Sequence, residues 1–580
     1  MDRNPSTPRD SLAPLDELDA VRAERDALAQ RLADLERRSR RRRDRFEAEL
    51  ERRDQRHEHD ARRVANRDTN LAKAQADLAL PLVPAVVRVD RFGARVARRI
   101  RRSLPGRQHA TPTRMPVAPP DARAFRASLT RAIDAGSLSV AVVTPAAPAM
   151  PAVPALGQAD HTARVLADAL GAGGWRVTSV GPVADAHPDP APDILIAVGA
   201  NVSRRSLPAT AVAVAWVTTW DDATTSHELD DYDLVLTDAD ATAAAIARET
   251  SQRAVAVDPT WFADGTQAAI RSWVDAPKLA IHIAPKSWEA AATWGDTAFA
   301  RSVQRSLARR GRPASVLIAP EVDDPRAVRA DVALHLSGIA TPPVRAGQPS
   351  VLWVISHPDH VRAAVADAYD LVFVASEPFA ADLAPRVKRP VHVLLQATDP
   401  ERFHPEPGGP THEILFVGNS RGVRRPVLET LAAAGHDVAV YGGNWKPEFI
   451  DPALVRGSWI PNGELHRYYA GAAIVLSDHW EDMREEGFIS NRVYDALASG
   501  AFIVSDRVAG MAAALDDSVA EYDDDAELLA VVEHALAHPE ERRARAERGR
   551  ALVLAHHTFD HRAAVIDEAL VDAGIWPRGG

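Results

Sequence analysis

The sequence predicts an α/β protein in which three Rossmann-like units follow one another, the last two facing across a cleft, behind an N-terminal coiled coil. Three observations carry this expectation. From Leu138 onward short Val/Ile/Leu/Ala runs alternate with helical segments, the pattern of parallel βαβ units. The stretch AWVTTWDD…DDYDLVLTDADATAAAIA from Ala215 matches LWVISHPD…DAYDLVFVASEPFAADLA from Leu352 at a constant offset of 137 residues. Finally, EILFVGNSRGVRRPVLETLAAAGHDVAVYG, from Glu413 to Gly442, reads as strand, glycine loop, helix and second strand.

The N-terminal region is of a different kind. A heptad template from Leu18 is apolar at Leu18, Val21, Leu28, Leu32, Leu35 and Phe46, a short coiled-coil signal that makes a homo-oligomer possible. Arg37 to Asp68 is almost wholly charged, with arginines and carboxylates interleaved as on a solvated helix. Residues 1 to 80 are therefore assigned to coiled coil and charged helix. Residues 81 to 122 form a basic segment and a Pro-rich linker; its stretch 82 to 104 mixes apolar and arginine positions and can either rest on an anionic membrane or pack on the body.

Charge separates the two parts. The first 110 residues hold 27 Lys and Arg against 19 Asp and Glu, whereas the whole chain of 580 residues carries a net charge of -11. An acidic body argues against nucleic acid as a partner, since phosphate neutralisation needs a basic face. The chain has no cysteine, which excludes disulfides, thiolate metal sites and cysteine nucleophiles. It shows neither a signal-peptide core nor an apolar run of about 18 residues, and the expected location is cytoplasmic, with peripheral membrane contact left open.

The α/β part divides at 123 to 273, 278 to 408 and 409 to 575. In the repeat, Trp216 pairs with Trp353, Tyr232 with Tyr369, Asp233 with Asp370, Leu170 with Leu307 and Gly174 with Gly311. Ligands bind at the carboxyl ends of strands in open α/β sheets. Three motifs fall there: Trp294-Gly295-Asp296, His357-Pro358-Asp359 and Gly418-Asn419-Ser420-Arg421. The densest stretch runs from His479 to Asp506 (HWEDMREEGFISNRVYDALASGAFIVSD). Ser490 or Asn491 can cap its helix, whose free N–H groups suit a diphosphate, while Arg484 and Arg492 can neutralise it. Asp495, one turn in, can accept hydrogen bonds from ribose hydroxyls. The competing reading is a capped helix with a solvated charged face.

On KLAIHIAP, WGDTAFARSVQRSLARRG, LLQATDPERFHP, FVGNSRG and GFISNRVYDALASGAFIVSD, residues 278 to 575 resemble the glycosyltransferase group 1 (GT4-like) superfamily of GT-B proteins, nearest its CgeB-like branch. The resemblance implies an acceptor domain (278 to 408) and a nucleotide-sugar donor domain (409 to 575); in the repeat Gln158, Ala159 and Trp220 stand where the second unit has Gly295, Asp296 and His357, so 123 to 273 is expected to be a non-catalytic accessory copy. It implies Glu486 facing the donor sugar, Asp495 the ribose, and Gly418 with Arg421 or Arg492 the diphosphate. The second acid is Asp rather than Glu and lies nine residues after Glu486, not eight, which leaves Glu485 a competitor.

The implied activity is transfer of a hexosyl or related group from a nucleotide-diphosphate sugar to a glycan or glycolipid acceptor of the cell surface, without cofactor or metal. His357 or Asp296 is the candidate base, and whether a base is used is left open. A carbohydrate-binding scaffold and a nucleotide-sugar epimerase are the alternatives. Asp523 to Asp525 are expected to cap a helix, and His556, His557 and His561 lack a metal-site pattern.

Overall fold

A computed structural model describes residues 122 to 576 apart from 136, 145–153, 173, 183–191, 199–206, 208–210, 218–228, 251–253, 258–261, 339–343 and 346. The expected coiled coil and the basic segment up to residue 121 lie outside the described residues, as do Trp220, Asp221 and Asp222 of the repeat.

Among the described residues eighteen strands make three six-stranded sheets in which every pairing with a given register is parallel. The first contains β1 (Ser139–Thr144), β2 (Arg176–Pro182), β3 (Ile194–Val198), β4 (Val212–Val217), β5 (Leu234–Thr237) and β6 (Ala254–Ala256), in the order β2-β1-β3-β4-β5-β6. The second contains β7 (Leu279–Ile283), β8 (Ala314–Ile318), β9 (Val332–Ser337), β10 (Ser350–Val354), β11 (Leu371–Val374) and β12 (Val391–Val393), in the order β12-β11-β10-β9-β7-β8. Read from its other edge this is the order of the first sheet. The third contains β13 (His412–Val417), β14 (Val438–Tyr441), β15 (Val455–Gly457), β16 (Ala472–Ser477), β17 (Ile503–Asp506) and β18 (Val519–Tyr522), ordered β15-β14-β13-β16-β17-β18, the dinucleotide-fold arrangement. Central strands such as β1, β7 and β17 are buried at every position, which is why their sequences are continuous apolar runs rather than alternating ones.

The residues that register in the repeat have matching structural roles. Asp233 Oδ2 accepts the N–H of Ala213 at 2.9 Å, and Asp370 Oδ2 accepts that of Ser350 at 2.9 Å, each fixing the start of a central strand. Trp216 and Trp353 are fully buried in the two cores. Gly174 and Gly311 both take positive φ just past a helix, with the following N–H returning to the carbonyl of Leu170 or Leu307. That is the left-handed helix stop for which glycine is suited.

The first and second units meet through charge. Arg301 Nη2 lies 2.9 Å from Asp231 Oδ1, and its Nη1 donates to the Asp230 carbonyl at 3.1 Å. Arg126 pairs with Asp331 at 2.5 Å.

The chain end differs from the expected boundary. Helix Phe559–Asp572, assigned from sequence to the third unit, buries Phe559, Ala563, Ile566 and Leu570 in the core of the second, against Phe299, Val303 and Leu307. Its apolar face announces burial but not the partner. Arg562 secures the return by donating to the carbonyls of Leu395 and Gln396. Among the described residues no helix is long and apolar enough to cross a membrane.

Candidate active site

The carboxyl ends of the second and third sheets border a cavity of about 320 Å³. Gly295, Asp296 and Ser356 line it from the second unit, and Asn491, Arg492 and Asp495 from the third.

Helix Asn491–Ala498 is positioned by a buried histidine. Ser490 occupies the cap position but its side chain makes no cap bond. Instead its backbone N–H donates to His479 Nε2 at 2.9 Å, so Nε2 is the acceptor and Nδ1 carries the proton that meets Asp506 Oδ1 at 2.6 Å. The His479 side chain is wholly buried, and Asp506 Oδ2 also accepts its backbone N–H. Burial opposes ionisation of Asp506, yet the hydrogen bonds from His479 and the Arg484 charge hold its carboxyl below the usual range. A loop, a helix start and the end of β17 are thereby fixed together.

Arg492, at the first turn, points a guanidinium toward Gly418. A Cβ on Gly418 would sit 3.1 Å from Nη2, so glycine is what permits this approach. Arg492 Nη1 is buried without a hydrogen-bond partner. Asp495 accepts from Thr398 Oγ1 at 2.9 Å and from Asn491 Nδ2 at 2.7 Å. Burial nevertheless pushes its carboxyl up to about 8. Thr398 comes from the crossover between the two units, so this carboxyl touches both.

On the facing unit, Asp296 lies in the first turn of helix Gly295–Arg309. The position of a Cβ on Gly338 is 3.3 Å from its Oδ2 and 3.2 Å from Ser356 Oγ, so β9 and β10 end against this carboxyl. Burial pushes Asp296 up to about 6. His357 has φ of 50° and starts the short 3₁₀ turn Pro358–His360 without a side-chain cap bond. Its Nδ1 lies 3.8 Å from Asp482 Oδ2, and its ring centroid lies 5.4 Å from that of Trp480. Burial lowers its pKa against the pull of Asp482. His357 is not among the cavity-lining residues; it bridges the two units beside them.

Gly418, Asn419 and Arg421 form a loop behind Arg492. Asn419 Oδ1 accepts the Gly443 N–H at 2.8 Å, and Arg421, at φ of 59°, lies 4.4 Å over Trp480. Burial lowers Arg421 to about 10, which still leaves it protonated at neutral pH. Glu486 closes the short helix Glu481–Glu485, and its carbonyl accepts the Ser376 hydroxyl. Arg484 is exposed. Neither of these two lines the cavity.

Sequence reasoning passed over His479, Thr398 and Arg425. Arg425 is buried and pairs with Asp478 while donating to the Asn419 carbonyl at 2.7 Å, which braces the glycine loop. Elsewhere Asp524 accepts the Glu527 N–H, His557 faces the Ala514 carbonyl, and His561 bonds Thr558 within its own helix cap.

Residues 423–568 match a family model described as glycosyl transferase-like. This segment begins after the Gly418 loop and contains the whole helix that bears Arg492 and Asp495. Similar solved structures include sucrose-phosphate synthase of Thermosynechococcus elongatus (15% identity, 51% of this chain, 98% of that one, TM-score 0.41). A glycosyltransferase of Rickettsia africae has 11% identity over 52% of this chain and 99% of its own, with a TM-score of 0.37. The Anabaena protein HepE in complex with UDP-glucose has 12% identity over 51% and 99%, with a TM-score of 0.37. No curated protein matches the chain.

Proposed function

We propose that the protein transfers a glycosyl group from a nucleotide-diphosphate sugar to a hydroxyl-bearing acceptor, a glycan or glycolipid, with the donor held on the third unit. The observation that carries this reading is Arg492: a cation at a helix start, its Nη1 buried and unpartnered, facing a glycine loop inside a two-domain cavity. The glycosyl transferase-like match over residues 423–568 supports it. In this reading Arg492 and the helix N–H groups meet the diphosphate and stabilise the charge that grows as the glycosyl bond breaks. Asp495 meets the ribose, and Asp296 takes the acceptor proton from the opposite wall. The CgeB-like assignment, cytoplasmic placement with peripheral membrane contact, and self-association are parts of the same proposal.

Calorimetric titration of nucleoside diphosphates tests it. Arg492→Ala should weaken binding by about tenfold to a hundredfold, an effect that shrinks as salt rises. Asp495→Asn keeps the volume of the side chain and, after rotation of the Asn491 amide, both hydrogen bonds. It should lose about 0.5–1.5 kcal/mol of binding, since the carboxyl that burial raises to about 8 meets the ribose largely in its neutral form. Wild-type affinity in both variants would overturn the donor-site assignment.

A further inference from the structure

The crossover from the second unit to the third carries chemistry that glycosyl transfer does not use. His404 and Glu406 lie on this crossover, and His466 lies on helix Leu465–Gly471 of the third unit. Each offers one donor atom, and these atoms all lie within 4.8 Å of one another. His466 Nε2 is 2.9 Å from Glu406 Oε2, and the rings of His404 and His466 have centroids 4.7 Å apart. The other Glu406 oxygen faces Arg467 Nε at 3.4 Å, which leaves Oε2 to the histidine side.

We propose that His404, Glu406 and His466 form a binding site for a divalent transition-metal ion of the zinc type, with water as a fourth ligand. Two imidazoles and one carboxylate suit such an ion and do not suit magnesium or calcium, which prefer oxygen donors. Tetrahedral bonds of about 2.0–2.1 Å place ligand atoms about 3.4 Å apart, so the His466–Glu406 pair at 2.9 Å opens by about 0.5 Å while separations of up to 4.8 Å close by at most about 1.4 Å. His404 and Glu406 are only half-buried and can rotate that far. The His466 ring is buried with Nδ1 unpartnered, a state that a histidine–glutamate pair alone does not explain.

The site has a place in the fold as well as a chemistry. Leu465 and Tyr469, on either side of His466, line the cavity, and Arg402, just before His404, donates to Asn462 Oδ1 at 3.0 Å. An ion here would tie the crossover to one wall of the cavity without entering it.

The full-length protein, freed of any histidine tag and of metal by chelator, would be titrated with cobalt(II) and, in a second series, with zinc(II) against a chromophoric chelator. The expected result is one ion per chain, visible cobalt bands of a four-coordinate site, and a rise in Tm with zinc. His404→Gln, at a half-exposed position, and His466→Gln should each lower affinity by more than about a hundredfold, since even outer partners of a ligand are worth about tenfold to a hundredfold. Nucleoside diphosphate binding to the metal-free protein reports separately on the donor site. Zinc affinity that is unchanged in His404→Gln, or wild-type protein that binds less than one ion, overturns the proposal even where His466→Gln fails to fold.

Discussion

At the scale of single residues, the proposed transfer leaves two groups, His357 and Asp296, to accept a proton from an acceptor hydroxyl, and their surroundings differ. His357 is drawn toward Asp482 and Trp480 at the edge of the cleft, whereas Asp296 borders the cavity itself. Burial raises Asp296 to about 6, which makes its ionised form more basic than an ordinary carboxylate while leaving it mostly ionised at neutral pH. A base must be deprotonated to act, so the rate should rise with pH through about 6 and then level. Asp296→Asn should lower kcat by about a hundredfold to ten-thousandfold and abolish that limb, with nucleoside diphosphate affinity unchanged. A rate profile that keeps the same limb in the variant would assign the base elsewhere. Asp296 was legible in sequence because Trp-Gly-Asp follows the first strand of its unit. That Gly338 and Ser356 would close around it was not, since they reach it from the ends of two other strands.

At the scale of elements, the order strand, loop, helix, strand around Arg492 could be read directly, because each piece has its own periodicity and the helix starts at a polar cluster. What holds that helix start could not. His479 and its partner Asp506 stand 27 residues apart at the ends of neighbouring strands, and no local pattern relates them. His479 acts as a positioning residue, touching the helix start through the Ser490 N–H. His479→Ala should leave the Ser490 N–H unpaired and remove the imidazole donor from Asp506 Oδ1, while the backbone N–H of residue 479 still meets Oδ2, costing about 1–3 kcal/mol of stability by urea denaturation. Nucleoside diphosphate binding should weaken by about tenfold, because the first turn loses its fixed orientation. His479→Asn can still donate to Asp506 and should recover part of the stability. A fully stable alanine variant would show that the helix start is set by other contacts.

At the scale of the whole molecule, helix Gly295–Arg309 joins parts that the sequence presents as separate. Its first turn carries Asp296, and Arg301 reaches into the first unit at Asp230 and Asp231. Ser302 donates to Asp399 on the crossover, and Phe299 packs edge-on against Phe559 of the returning C-terminal helix. The offset of 137 residues exposed the kinship of the first two units because their buried tryptophans, helix stops and strand-fixing aspartates are under the same constraints. It could not expose their joint, because the position matching Arg301 also carries an arginine, Arg164 in helix Pro154–Ala172, which is exposed, so residue type alone does not mark the contact. If the first unit supports the cleft without taking part in the chemistry, loosening the joint should affect stability first. Arg301→Ala removes the guanidinium that lies 2.9 Å from Asp231, while Arg326 remains 3.8 Å from the same carboxylate. The expected cost is about 3 kcal/mol, the lower end for breaking a buried pair, because Arg326 retains part of the compensation. Donor affinity, read by calorimetry below the unfolding transition, should stay within about threefold of wild type, since no residue of the third unit is disturbed. A hundredfold loss of donor affinity with folding intact would make the first unit part of the active cleft rather than its support.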